Sequence, residues 1–195
     1  MARVPILMYH RVTPLPRGTT VPNHYVHPAR FARHVDVLHR TGFTAISLSR
    51  MADAFAGRAE MPRRPVVFSF DDGYEHWSQN VVPVLATKGW PGTLFIVSGL
   101  MGKDNAWDNR AGDVREALMN PEQVRDAQSK GMEIGGHSVS HARLTKLDDA
   151  ELARELTACR ETLEELTGQP VPYFCYPYGA VDKRVRDAAA AAGYE

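Results

Sequence analysis

The 195-residue chain is poor in cysteine, with Cys159 and Cys175 its only two. Two thiols are too few for the multi-bridge framework that holds small secreted scaffolds together. Both read as small buried apolar residues, one in an expected helix and one in an expected strand. Net charge is also lacking, since 23 basic residues balance 23 acidic ones. That removes the electrostatic footprint of a nucleic-acid or anionic-membrane binder. No run of 18 apolar residues occurs, so a membrane-spanning helix is excluded. The apolar stretch ahead of Tyr9-His10-Arg11 is too short for a signal-peptide core, and no small-residue cleavage site follows it. As written the chain reads as cytoplasmic, and as extracellular only if its N-terminus is processed. Internal repeats are absent, and the only biased tract is the alanine run Ala188–Ala192.

What is present is an ordinary apolar fraction of 44%, in a chain of one-domain length. Strands are expected at Ile6–Tyr9, Ala45–Leu48, the stretch from Val66, Thr93–Val97, Met132–Gly135 and Phe174–Tyr176. Between them lie helical signals. Pro28 opens a helix to about Arg40, and Ser78–Lys88 is broken at Pro83. Asn120 caps a helix that begins at Pro121, and Asp148 with Glu151 forms a capping box. The long helix after Asp148 carries Leu152, Leu156, Cys159, Leu163 and Leu166 on one face and stops at Gly168. A last helix covers Lys183–Ala192. Ser98–Met119 has no regular pattern and reads as an insertion. Strands alternating with helices predict a parallel sheet with helical crossovers. Sites in such folds lie at the carboxyl ends of the strands.

Four chemically capable stretches fall at such ends. Phe68-Ser69-Phe70-Asp71-Asp72-Gly73-Tyr74 closes an apolar strand with adjacent carboxylates, and Gly73 lets the backbone turn so that both acids converge. Taken alone it could equally be an Asp-Gly turn on a solvated loop. Gly135-Gly136-His137-Ser138-Val139-Ser140-His141 holds a His-x3-His pair. On a helical turn that spacing puts two imidazoles on one face, and the glycines ahead of it would allow a sharp bend. One aspartate and two histidines form a three-ligand set with an open position, as catalytic zinc uses. His10 and Pro177-Tyr178-Gly179 follow two further strands.

Phe68–Gly73, His137–His141 and Tyr176–Gly179 resemble, in order and spacing, the first three motifs of the NodB-type polysaccharide deacetylases. Ile6-Leu7-Met8-Tyr9-His10-Arg11-Val12 is similar to the branch that deacetylates poly-N-acetylglucosamine. The resemblance implies a distorted (β/α)7 barrel that removes acetyl groups, N-acetyl and also O-acetyl, from an acetylated glycan with a bound divalent ion, usually Zn2+. Carried over by position, Asp72, His137 and His141 become the metal ligands and Asp71 the general base. The backbone N–H of Tyr178 becomes the oxyanion donor. The resemblance puts His10 in the active site, where the leaving nitrogen's need for a proton makes it the candidate acid, the alternative being a histidine that bonds the following loop. Gly73, Tyr74, Pro177 and Tyr178 are expected to contact substrate.

Two departures stand out. Where many members have an arginine that orients the base, this chain has Cys175, which cannot pair with a carboxylate. The family's later motifs, with a further histidine, would fall beyond Glu195. The expectation is therefore one deacetylase domain over residues 1–195 without its last barrel strand or strands. Two rival readings remain: a hydrolase of the same fold acting on a small amide or cyclic imide, and a non-catalytic carbohydrate-binding module. Trp107 fits either a sugar-stacking or a core role.

Overall fold

The computed structural model describes residues 3–109 and 113–195, so part of the Ser98–Met119 stretch lies outside the described residues. Its centre is a five-stranded parallel sheet of β1 (Ile6–Tyr9), β2 (Thr44–Ala45), β3 (Pro65–Asp72), β4 (Thr93–Ile96) and β5 (Glu133–Gly136). Strand β3 pairs with β1 from Ile6↔Val67 to Tyr9↔Phe70, and with β4 from Ser69↔Thr93 to Asp72↔Ile96. Strand β4 pairs with β5, while β2 adds a two-residue ladder at the start of β3. Every residue of β3 is buried. A strand covered on both faces has no polar-out positions, which is why its sequence is almost continuously apolar until the acids.

The helices α1 (Pro28–Arg40), α2 (Leu48–Phe55), α3 (Trp77–Asn80), α4 (Val82–Ala86), α5 (Ala106–Asn109), α6 (Pro121–Ser129), α7 (Asp149–Thr167) and α8 (Lys183–Ala191) fill the connections. Pro83 divides α3 from α4, because a proline ring has no N–H to continue the first helix. The Asn120 side chain and Gln123 close a capping box on α6. Asp148 caps α7, and Gly168 ends it at φ +65°. Tyr9, Phe31, Phe68 and Phe70 interlock between β1, β3 and α1, with ring centroids 5.2–6.3 Å apart. No helix among the described residues is long and apolar enough to cross a membrane.

The expected parallel α/β architecture is present, with two local differences. Strand β2 stops at Ala45 because Ser47 is already the N-cap of α2, its hydroxyl accepting from the Arg50 N–H at 3.1 Å. The expected strand Phe174–Tyr176 is reduced to one bridge, Gly136↔Phe174, hemmed by Pro172 and Pro177, which cannot donate to a ladder. Among the described residues the ladders run as an open path from β1 through β3 and β4 to β5 and this bridge. Because Asp72 pairs with Ile96 and Ile96 with Gly136, the strand ends are level. His10, Asp71, Asp72 and His137 therefore stand on one rim.

Gly135 and Gly136 do not supply the expected bend; neither has positive φ, and both lie inside β5. Their role is close packing. A Cβ on Gly135 would sit 2.5 Å from the Phe95 ring, and one on Gly136 would sit 2.6 Å from Tyr194 Oη. Glycine-to-alanine changes in a strand otherwise gain about 0.5–1 kcal/mol of backbone entropy. Overpacking costs about 1–3 kcal/mol and should win here. Gly135→Ala is expected to lower the unfolding free energy in a urea titration; equal stability would mean that Phe95 can swing clear.

Candidate metal centre

The sequence brings Asp72, His137 and His141 to one point. His137 Nε2 lies 3.3 Å and His141 Nε2 3.2 Å from the same Asp72 Oδ1. All three ligand atoms lie within 4.8 Å of one another, and all three residues are buried. The Nδ1 of His137 lies 2.7 Å from the Cys175 carbonyl. A carbonyl can only accept, so Nδ1 carries a proton. His141 Nδ1 is buried with no hydrogen-bond partner among the described residues. Burial alone would raise the Asp72 pKa, but hydrogen bonds from both imidazoles outweigh it and hold the carboxyl well below its usual range. For His137 burial acts downward, and the contact with Asp72 overrides it. For His141 burial wins and favours the neutral ring. Two imidazole nitrogens and one carboxylate oxygen, aimed at one another with an orphaned Nδ1 alongside, fit a divalent ion such as zinc.

The histidine spacing is realised differently from the expected helical turn. His137–His141 is a non-helical loop in which Ser138 has φ +64° and His141 φ +60°. Each is a conformation that non-glycine residues rarely adopt. Ser138 Oγ accepts the His141 N–H at 2.9 Å. Glu155 of α7 does most of the holding: its carboxylate accepts the N–H of Val139 at 2.8 Å and of Ser140 at 2.9 Å, and the Ser140 hydroxyl at 2.6 Å. Glu155 was not singled out from the sequence, although it interrupts the apolar face of α7 between Leu152 and Leu156. A buried carboxylate in such a stripe needs partners.

Asp71 is buried beside Asp72 and turns to a different set of groups. Its oxygens accept from Ser69 Oγ at 3.1 Å and from the Cys175 thiol at 3.3 Å. Cys175 therefore does reach the carboxylate, and it is not simply an apolar filler. Burial and the neighbouring Asp71 push its pKa up, so the sulfur remains a donor. One residue thus meets His137 through its carbonyl and Asp71 through its thiol. Cys159 is buried, as expected.

Asp72, His137, His141 and Asp71 line a cavity of about 450 Å³, together with His10, His24, Trp107 and Tyr178. His10 stacks on His24 with centroids 4.6 Å apart. His24 had no visible ligand spacing and was not expected here. Trp107 lies nearly parallel to His141 at 4.2 Å, and the Tyr178 ring meets His141 at a steep angle at 4.6 Å. Tyr178 has φ +60° and is 50% exposed at the mouth. Gly73, Tyr74 and Pro177 are not among the lining residues. The Gly73 carbonyl accepts from Met119 N–H at 2.7 Å. The Tyr74 ring is buried, and its hydroxyl accepts from Arg11 Nε at 2.9 Å. Pro177 is buried within the turn that presents Tyr178. His76 stacks on Tyr74 away from the cavity.

The polysaccharide deacetylase family model matches residues 58–195. YxkH of Bacillus subtilis is 23% identical over 194 residues, covering 100% of this chain and 63% of that protein. The poly-beta-1,6-N-acetyl-D-glucosamine N-deacetylase of Escherichia coli K12 is 29% identical over 105 residues, 52% of this chain and 16% of that enzyme. The chain thus spans less than two thirds of the length of either relative. The Streptococcus pyogenes deacetylase PplD, solved with acetate, superposes with a TM-score of 0.84 at 20% identity, over 99% of this chain and 81% of its own.

Glu155→Ala should loosen the histidine loop, because the N–H groups of Val139 and Ser140 would lose their acceptor. Loss of such an outer partner weakens metal affinity by about 10–100-fold. Competition against a chromophoric chelator measures this directly; an unchanged affinity would show that the loop holds its shape without Glu155.

Proposed function

Because the chain belongs to the polysaccharide deacetylase family, we propose that it is a metal-dependent hydrolase that removes acetyl groups from a polysaccharide or oligosaccharide. N-acetyl groups are the first substrate class, O-acetyl esters the second, and Zn2+ the ion. The observation that carries this reading is Asp72, His137 and His141 converging on one point with a separate carboxylate, Asp71, beside them.

Asp72, His137 and His141 hold the ion, which when bound supplies Lewis-acid polarisation and activation of water. Asp71 takes the proton from the attacking water, with its oxygens aimed by Ser69 and Cys175. The water oxygen joins the acetyl carbon, the bond from that carbon to nitrogen breaks, and acetate and a free amine leave. An amine anion is a very poor leaving group, so the nitrogen must receive a proton. His10, which follows β1 and lines the same cavity, gives it in this reading. The Tyr178 N–H stabilises the developing oxyanion. Its half-exposed ring and that of Trp107 offer flat apolar faces suited to a sugar ring, which favours a glycan over a small amide or imide.

Separating the two aspartates tests the reading. Asp72→Ala should lose the metal. Asp71→Asn keeps the shape and should keep the metal, while acetate release from N-acetylglucosamine oligomers falls by about 10²–10⁴-fold. Metal loss in Asp71→Asn with metal retained in Asp72→Ala would reverse the assignment.

A further inference from the structure

Arg11, the residue after His10, is fully buried although it stands at the rim of the sheet. Its Nη1 donates to Asp113 at 2.5 Å and to the Tyr25 hydroxyl at 2.7 Å, its Nη2 to Asp108 at 2.6 Å, and its Nε to the Tyr74 hydroxyl at 2.9 Å. The guanidinium also lies 4.9 Å and 5.1 Å from the centroids of the Tyr25 and Tyr74 rings. Taking a guanidinium and the Asp113 carboxylate out of water is costly, and apolar residues of similar volume often serve stability as well or better. What the ion pairs provide is geometry, since the planar guanidinium fork holds its acceptors in fixed directions. One of those acceptors, Asp108, adjoins Trp107 in α5, and Trp107 is the ring stacked on His141.

We propose that Arg11 is a positioning residue for the metal centre: by holding Asp108 it seats Trp107 against His141, fixing the ligand's ring and the cavity wall where an acetylated sugar would lie. The inference rests on the function proposed above. Arg11 touches neither the ligands nor the reacting atoms; it acts through Asp108 and Trp107. Asp113 extends the clamp to a third segment, because its other oxygen accepts from the Thr19 hydroxyl and the Thr20 N–H, both at 2.8 Å.

The test is a double-mutant cycle on the full chain, read as Co2+ affinity. Arg11→Lys keeps the charge but cannot span the same partners. Trp107→Ala removes the ring directly. Each should weaken Co2+ by about tenfold, the range for loss of an outer partner of a ligand. If Arg11 acts through Trp107, the double variant should also stand near tenfold and not near the product of the two losses. Acrylamide quenching of Trp107, isolated as the difference from Trp107→Phe, should rise in Arg11→Lys. Should Arg11→Lys fail to fold, Asp108→Ala takes its place, because it cuts the link to Trp107, along with a contact from Asn105 Nδ2 at 3.0 Å, and leaves Asp113 paired with Arg11. Multiplicative losses, or Trp107 quenching unchanged in the variant that folds, would overturn the proposal. Neither readout uses a substrate, so absence of acetate release in the wild type would defeat the deacetylase reading without deciding this one.

Discussion

The Asp72 carboxylate facing two imidazole nitrogens is the contact on which the rest of the molecule is arranged. Bringing these groups together requires unusual backbone. Among the described residues, the non-glycine positions with positive φ are Asp72, Ser138, His141 and Tyr178, and all four lie in or beside the site. Each such conformation costs on the order of 1–3 kcal/mol and persists only where the surroundings over-determine it. Here the surroundings are identifiable. The level ends of β3, β4 and β5 bring Asp72 beside His137. The Cys175 carbonyl turns the His137 ring, and Glu155 with Ser138 Oγ fixes the loop to His141. The wholly buried β3 and its aromatic neighbours supply the apolar burial that offsets this local cost.

The support is layered by chemistry. His137 leans on a backbone carbonyl, which fixes a proton on its Nδ1. Asp71 leans on two neutral donors, the Ser69 hydroxyl and the Cys175 thiol. Full positive charge is placed one layer further out, in Arg11, which is paired with Asp108 and Asp113. Two aromatic rings, Trp107 and Tyr178, then enclose His141.

Much of this was legible in the sequence, for a physical reason. Helix periodicity, caps and the proline break at Pro83 are local signals, and their boundaries agree with the structure to within a residue or two. Strands announce themselves as apolar runs, whether buried on both faces like β3 or exposing Ile6 and Met8 like β1, so the carboxyl ends carrying His10, Asp71, Asp72 and His137 could be placed before the fold was known. What could not be read depends on contacts across long stretches of chain. Cys175 meets Asp71 across 104 residues, and Arg11 meets Asp113 across 102. No local pattern encodes that Trp107 stacks on His141 or that His24 stacks on His10. The left-handed backbone at Ser138 and Tyr178 also left no signature, because neither is a glycine. Glu155 is the exception: a carboxylate at a core position of an apolar helix face was a visible sign that something needed binding.

The most direct measurement is acetate release from N-acetylglucosamine oligomers by chelator-stripped protein titrated with zinc. The account predicts no release from the stripped protein and recovery that saturates at about one ion per chain, as a single three-ligand site requires. Undiminished release from stripped protein, or failure to take up zinc at all, would contradict it.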